Sequence, residues 1–114
     1  MADCVFCSIA TGALPADVVF SDDRVVAFRD LHPQAALHVL VIPREHRSTA
    51  AELAATDPAL VGELVTAAHA VATAEGRADS GYRLVFNTGA DAGQTVFHAH
   101  LHLLAGGPLG LTLG

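Results

Sequence analysis

The nine-residue stretch VFHAHLHLL, Val96 to Leu104, places three histidines at alternate positions in an otherwise apolar run. A run of this length and composition predicts a buried β-strand, on which successive side chains point to opposite faces. His98, His100 and His102 would then share one face, each about 6.6 Å from the next. The intervening residues would point the other way, into a core: Ala99, Leu101 and Leu103.

Three titratable rings on one face have three interpretations. They form a metal site, they form a reaction centre, or they lie on a solvated face by chance. The apolar residues on either side of the histidines, Val96, Phe97, Leu103 and Leu104, indicate a covered strand and disfavour the last interpretation. The stretch therefore predicts either a metal site or a reaction centre.

Helices are expected in three places along the chain. FCSIATG, Phe6–Gly12, predicts a short N-terminal helix that its glycine ends, and Thr49–Ala54 predicts another short piece. The main helix has Asp57 as a candidate N-cap and Pro58 in its first position. Apolar residues then recur at three- and four-residue spacing as far as Gly76, a plausible stop.

Four further segments are typical of strands. A hairpin is indicated where two apolar runs flank a Ser-Asp-Asp turn, and Pro43 ends the next run. Their ranges are Val18–Phe20, Val25–Phe28, His38–Pro43 and Tyr82–Asn87. With the histidine strand, this order predicts an α+β fold with a roughly five-stranded antiparallel sheet, one main helix and a short N-terminal helix. A single domain over residues 1–114 is expected.

Composition and charge exclude several classes of function. The 114 residues are 52% hydrophobic, which predicts a packed core rather than disorder. Twelve acidic and six basic residues give a net charge of −6, which argues against binding to a nucleic-acid backbone. No apolar run reaches membrane-spanning length, and the first residues do not resemble a secretory signal. We expect a cytoplasmic protein with no membrane partner, which also suits two free cysteines.

The histidine stretch and its surroundings resemble the histidine-triad (HIT) family. HAHLHLL fits that family's pattern of three histidines separated by apolar residues, and two longer blocks match its signatures, FRDLHPQAALHVLVIPREH and NTGADAGQTVFHAHLHLL. The similarity runs from about Cys4 to Gly106 and is strongest to the Hint-like purine nucleoside phosphoramidase branch. A uridylyltransferase branch of the family has Gln at the third histidine position, so His102 favours hydrolysis.

The resemblance implies a reaction and assigns roles to four residues. His100 would attack the α-phosphorus of a nucleotide and form a nucleotidyl-histidine intermediate, which water hydrolyses to AMP or GMP. His102 and His38 would flank the phosphate, and Thr95 would hydrogen-bond the leaving group. Substrates would be purine nucleoside phosphoramidates. Two alternatives are a dinucleoside polyphosphate hydrolase and a nucleotide-binding regulatory module with little turnover.

The resemblance also implies residues that hold the nucleotide. Asp30 would accept hydrogen bonds from the ribose hydroxyls, and Asn87 would bind ribose or phosphate. Backbone N–H groups of the loop Gly93–Thr95, which includes Gln94, would approach the phosphate. Without the resemblance, a solvated loop aspartate, a strand-ending asparagine and ordinary turn glycines explain these residues equally well or better. Candidates for the base pocket, some of them equally good core residues, are Phe6, Ile9, Leu14, Phe20, Arg29 and Leu31.

Cys4 and Cys7 have the spacing of a metal-ligand pair, although redox chemistry or plain burial also explains a single C-x-x-C motif. In bacterial proteins that this chain resembles, such a pair binds zinc together with two histidines, which here are His46 and His98. The resemblance therefore implies one structural zinc ion per chain. The alternative for the two histidines is a hydrogen-bond relay behind the nucleophile.

The main helix also carries small residues outside its apolar stripe: Ala59, Ala67, Ala70 and Ala74. A helix that is apolar or small nearly all round is usually covered on more than one side. In the family, the corresponding helix and strand join two sheets across a two-fold axis, so a homodimer is expected. The alternative is that the alanines face water as good helix formers.

Overall fold

The computed structural model describes residues 4–110, which form one antiparallel five-stranded sheet with helices on both of its faces. In chain order the elements are α1 Val5–Thr11, β1 Val18–Ser21, β2 Val25–Arg29, β3 Leu37–Pro43, α2 Ala50–Thr56, α3 Pro58–Ala74, β4 Tyr82–Phe86 and β5 Leu101–Ala105. The strand order is β1-β2-β3-β5-β4, so β3 is central and β4 is an edge. The predicted fold class and the number of strands are confirmed.

The two faces of the sheet have separate apolar cores because strand side chains alternate. On β2, Val25 and Ala27 join the larger core under α3, while Val26 and Phe28 point to the smaller core under α1. Every residue of β3 is buried, as expected for a central strand covered on both faces. The larger core supports the sheet, and the α1 face carries the histidines.

The main helix begins where its sequence predicts. The Asp57 side chain accepts a hydrogen bond from the Leu60 N–H at 3.2 Å, and Pro58 occupies the first helical position. Two alanines predicted to lie outside the apolar stripe of this helix differ. Ala67 lies in the core, 3% exposed, so its prediction is wrong, whereas Ala70 faces outward. No helix in the described range 4–110 combines the length and apolar character needed to cross a membrane.

The histidine strand begins five residues later than its apolar pattern predicts. β5 starts at Leu101, and the preceding residues from Val96 onward are not strand. In the ladder between β3 and β5, Val41 is opposite Leu101. If the ladder continued, Ala99 would be opposite Pro43, which has no N–H to donate. The chain turns away there, and the Ala99 N–H bonds to the Arg47 carbonyl instead.

Candidate functional site

Neighbouring strands bring two histidines together on the α1 side of the sheet. His102 of β5 lies opposite Leu40, and His38 lies two residues earlier on β3. The two imidazoles meet with His38 Nε2 2.9 Å from His102 Nδ1. The ring of His100 is 5.0 Å from that of His102, and Phe6 of α1 packs edge-on against His100 at 5.1 Å. Three imidazoles therefore form one contiguous group.

Backbone groups fix the tautomers of His38 and His102. The Gln34 N–H donates to His38 Nδ1 at 3.0 Å, so a neutral His38 carries its proton on Nε2. That proton is donated to His102 Nδ1, which leaves the proton of His102 on Nε2. His102 lines the adjoining cavity and brings an N–H donor to it.

His100 has the opposite polarity. Its Nδ1 lies 2.8 Å from the carbonyl oxygen of His98, and a carbonyl can only accept. Nδ1 therefore carries the proton, and Nε2 keeps a free lone pair. His100 and His102 both line the cavity, so a ring with a free nitrogen and a ring with an Nε2–H donor share its wall.

Burial keeps His38 and His102 neutral. It lowers the pKa of His102 to about 4, and the neighbouring His100 and His38 act in the same direction. Burial also lowers the pKa of His38, although the Asp30 carboxylate opposes that shift. At neutral pH both rings are therefore uncharged, and Nδ1 of His38 and Nδ1 of His102 each remain hydrogen-bond acceptors.

The cavity beside the histidines has a volume of about 390 Å³, within the range of small-molecule sites. Its walls are mostly apolar, and the polar residues that line it are Asp30, His32, Thr95, His100 and His102. Among the residues predicted for a base pocket, four line it: Phe6, Ile9, Leu14 and Leu31. Phe28, Leu40 and Val96 also line the cavity and were not predicted. The cross-strand pair Phe28–Leu40 could have been found from the shared face of two alternating strands.

Asp30 is partly buried at the edge of this cavity. One carboxylate oxygen accepts a hydrogen bond from the His32 N–H at 2.8 Å, and the other lies 3.4 Å from His38 Nε2. The carboxylate therefore shapes its own loop and contacts the histidine group, while it remains part of the cavity wall.

Several predicted nucleotide-binding residues do not line the cavity. Arg29, predicted for the base pocket, forms ion pairs with Asp17 and Glu75 at the end of β2 and does not line this cavity. Gln94 is 4% exposed, and its side chain bonds the Gly89 N–H and the carbonyl oxygens of Ser48 and Val96. Its side chain thus holds the loop together. The remaining predicted residues outside the lining are Phe20, Asn87 and Gly93.

Cys4, Cys7, His46 and His98 converge at the start of α1. Cys7 Sγ lies 3.3 Å from His46 Nδ1 and 3.5 Å from His98 Nδ1, and Cys4 Sγ lies 3.4 Å from His98 Nδ1. His98 Nε2 donates to the Pro43 carbonyl at 2.8 Å, so the lone pair on Nδ1 faces the two thiols.

This donor set fits a tetrahedral zinc ion. The four ligand atoms lie within 4.8 Å of one another. Zn–S and Zn–N bonds at tetrahedral angles separate a sulfur from a nitrogen ligand by about 3.5 Å, close to the distances found. Without a cation, burial and the neighbouring Cys4 raise the pKa of the Cys7 thiol, so its thiolate form needs a positive partner.

Comparisons with known proteins agree on one family. The family model described as the HIT domain matches residues 11–109. The purine nucleoside phosphoramidase of Escherichia coli K12 is 43% identical over 106 residues, which cover 93% of this chain and 89% of that protein. A HIT family hydrolase from Legionella pneumophila is 45% identical with a TM-score of 0.94, over 98% of this chain and 100% of that one. Another from Clostridium thermocellum is 42% identical with a TM-score of 0.95, over 99% and 98%.

Proposed function

Since this chain belongs to the HIT domain family, as its motifs predicted, we propose that it is a nucleotide hydrolase that releases purine nucleoside 5′-monophosphates from phosphoramidates. The free lone pair on His100 Nε2 at the cavity carries this proposal, because a neutral imidazole is a usable nucleophile at neutral pH. The name of the relative from Escherichia coli supports the choice of substrate class.

The reaction proceeds in two displacements at phosphorus. His100 Nε2 forms a bond to the α-phosphorus, and the bond to the leaving nitrogen breaks with its electron pair, so that the amine departs with a proton from solvent. The hydroxyl of Thr95, which lines the cavity, would relay that proton. Water then attacks phosphorus, the histidine–phosphorus bond breaks, and the monophosphate leaves while the water proton passes to solvent.

The supporting histidines act on the phosphate oxygens. The Nε2 proton of His102 is available to a phosphate oxygen that gains charge in the transition state. His38 holds that proton in place, since its own Nε2–H occupies His102 Nδ1. Asp30 accepts hydrogen bonds from the ribose hydroxyls, and the apolar wall around Phe6 and Leu14 receives the purine.

Release of AMP from adenosine 5′-phosphoramidate tests this proposal. Purified protein should release AMP catalytically, and a rapid quench should trap AMP covalently on His100. Cleavage of diadenosine polyphosphates in preference to the phosphoramidate would favour the polyphosphate hydrolase. AMP binding without turnover of either substrate would favour a regulatory module.

We also propose that Cys4, Cys7, His46 and His98 hold one structural zinc ion. The ion would cross-link the start of α1 to the two segments that carry His46 and His98, and it would supply no reacting group. Its support is the fit of the four ligand atoms and the lone pair of His98 Nδ1. Thiols in this arrangement need a reducing compartment, so we place the protein in the cytoplasm.

A homodimer through α3 and β4 is the third proposal. β4 is an edge strand with unpaired backbone groups, which another chain can cover. Next to it, Val65 of α3 is 40% exposed, and His69 Nδ1 lies 2.7 Å from the Tyr82 hydroxyl. Light scattering at micromolar concentration should give the dimer mass, and Ala70→Glu should shift it toward the monomer. Ala67→Glu is no test, because Ala67 lies in the core.

A further inference from the structure

The two cysteines at the start of α1 are arranged in a way that suits a disulfide as well as a metal. The Cys7 N–H donates to Cys4 Sγ at 3.3 Å, which fixes the first sulfur beside the residue that carries the second. The two Sγ atoms lie within 4.8 Å of each other, and both residues are partly exposed. Disulfide oxidoreductases use the same C-x-x-C spacing, so a local adjustment of the first helical turn can join this pair.

His98 connects the cysteines to the nucleophile at the cavity. Its ring is fully buried, and its Nδ1 lies 3.4 Å from Cys4 Sγ and 3.5 Å from Cys7 Sγ. Because Nε2 donates to the Pro43 carbonyl, Nδ1 carries a lone pair that needs a cation or a hydrogen-bond donor. A zinc ion would be the first kind of partner, and the S–H group of a thiol is the second. Reduced cysteines therefore satisfy this buried nitrogen with or without metal.

A disulfide would remove both kinds of partner. Its sulfurs have no hydrogen to donate, and without negative charge they are poor ligands for Zn²⁺. The lone pair of His98 Nδ1 would stay buried and unpaired, which is costly enough to displace the ring and the backbone that carries it. Since the His98 carbonyl accepts the Nδ1 proton of His100, such a displacement frees His100 to exchange tautomers.

Phe6 provides a second contact between the cysteines and the nucleophile. It lies between them in the sequence and is 7% exposed. Its ring packs edge-on against His98 at 6.0 Å and against His100 at 5.1 Å. A change in the first turn of α1 that brings the sulfurs together would therefore also move an aromatic ring that contacts His100.

We infer that Cys4 and Cys7 are an oxidation site that controls the nucleophile: peroxide joins them as a disulfide, and His100 loses its fixed tautomer. The inference rests on the proposed function for its effect on catalysis, and on the proposed zinc site for the release of metal. It adds to both a covalent state of the chain that lowers turnover.

The oxidation needs hydrogen peroxide as its only co-reactant. One thiolate attacks a peroxide oxygen, and the O–O bond breaks to give a sulfenic acid and hydroxide. The second thiolate attacks that sulfur, the S–S bond forms, and a second hydroxide leaves. The two sulfurs lose two electrons and the peroxide gains them, and two protons from solvent convert the hydroxides to water.

The test follows the covalent state and the reaction together. Cys4 and Cys7 are the two cysteines of the chain, so an internal disulfide lowers the intact mass by two hydrogens and identifies the pair. Peroxide should produce this species and release zinc to a colorimetric chelator. The kcat for adenosine 5′-phosphoramidate should fall at least about tenfold, a typical loss when a group that orients a functional histidine is removed, while the Kd for AMP changes less than about twofold. A dithiol reductant with zinc should restore kcat.

Two variants separate this effect from general oxidation. Cys4→Ser with Cys7→Ser should lose the sensitivity to peroxide, measured as the ratio of kcat after treatment to kcat before it. Ser8→Ala lies in the same helix, keeps both thiols and should stay sensitive. Nitrogen-15 NMR gives a readout besides turnover: His100 should carry its proton on Nδ1 in the reduced protein and show a mixture of tautomers after oxidation.

A disulfide that leaves either kcat or the His100 spectrum unchanged would overturn the inference. Resistance of the thiols to peroxide, or a peroxide effect that persists in the double cysteine variant, would do the same. Failure of the proposed function differs from these outcomes, because the reduced protein would release no AMP while mass and NMR still report on the cysteines and His100. Absence of zinc before treatment would remove only the zinc proposal, since the disulfide and the tautomer are measured without it.

Discussion

The thiol cluster, formed by Cys4, Cys7, His46 and His98, lies beside the histidine group at the cavity. Both draw on the same short stretch, which gives His98 to the first and His100 and His102 to the second. In the thiol cluster, the Pro43 carbonyl accepts the Nε2 proton of His98, so Nδ1 is the free nitrogen. At the cavity, the His98 carbonyl accepts the Nδ1 proton of His100, so Nε2 is free. One residue type thus becomes a metal-ligand candidate in one place and a nucleophile candidate in the other.

A single carbonyl acceptor therefore decides which nitrogen of a neutral imidazole is available. The two regions are also joined, because His98 contributes its ring to the thiol cluster and its carbonyl to His100.

Removing the free lone pair at the cavity should have the largest effect. His100→Ala or His100→Asn should lower kcat for adenosine 5′-phosphoramidate at least about 10³-fold, because the group that bonds to phosphorus is gone. AMP should still bind, as measured by calorimetry. Asp23→Asn is the control, since Asp23 lies in the exposed turn before β2, away from the cavity. Substantial turnover by either His100 variant would reject this assignment.

Removing the thiols should abolish metal binding at the thiol cluster. Metal analysis of protein purified without added metal should find close to one zinc per chain. Cys4→Ser with Cys7→Ser should abolish it and lower the free energy of unfolding by about 3–4 kcal/mol, the linkage expected when a ligand is present far above its Kd. Ser8→Ala in the same helix should retain the metal. Finding no metal in the unmodified protein would favour the hydrogen-bond relay for His46 and His98.

Asp30 is expected to contribute to nucleotide binding at the cavity. Asp30→Ala should weaken AMP binding by about 1.5–3 kcal/mol, the usual worth of a hydrogen bond to a charged group. Because Asp30 also bonds the His32 N–H, the loss should be measured against 2′,3′-dideoxy-AMP, which lacks the ribose hydroxyls. An equal loss for both nucleotides would assign Asp30 to loop structure alone. Asp23→Ala, in the exposed turn before β2, is the control.

The smallest effect concerns the protonation of His102. Its pKa is about 4 in the folded chain and about 6.5 in an unfolded one, so the unfolded state takes up the proton first. The contribution of His102 to the free energy of unfolding is complete above pH 6.5. It falls by about 1–2 kcal/mol as the pH drops toward 4, after allowance for partial exposure of the ring to solvent. Urea unfolding at several pH values should show a shallower decline in His102→Gln. Identical declines would contradict the neutral state of His102.

Much of the fold follows from local signals in the sequence. The main helix begins at an Asp-Pro pair that supplies its cap and its first residue, and Gly12 closes α1 with a positive φ of 83°. The alternation around His100 correctly placed Ala99, Leu101 and Leu103 in the core. Such features depend on neighbours within a few residues, which a sequence displays directly.

What the sequence could not provide depends on residues far apart in the chain. The late start of β5 follows from Pro43 on another strand. The Arg29 side chain pairs with Glu75, 46 residues away, rather than lining the cavity. The amide of Gln94 bridges its own loop and Ser48, a contact that no local pattern indicates. The tautomers of His98 and His100 likewise depend on carbonyl positions that only the folded backbone sets.

Pro43 also bears on how this sequence can change over evolutionary time. One residue both ends the strand ladder, by lacking an N–H, and supplies the carbonyl that orients His98. Any other residue would keep the carbonyl but restore the donor, and the ladder could then extend toward His98 and draw its ring from the thiols. A substitution at position 43 therefore acts on the strand ladder and on the ring of His98 together, although Pro43 does not line the cavity.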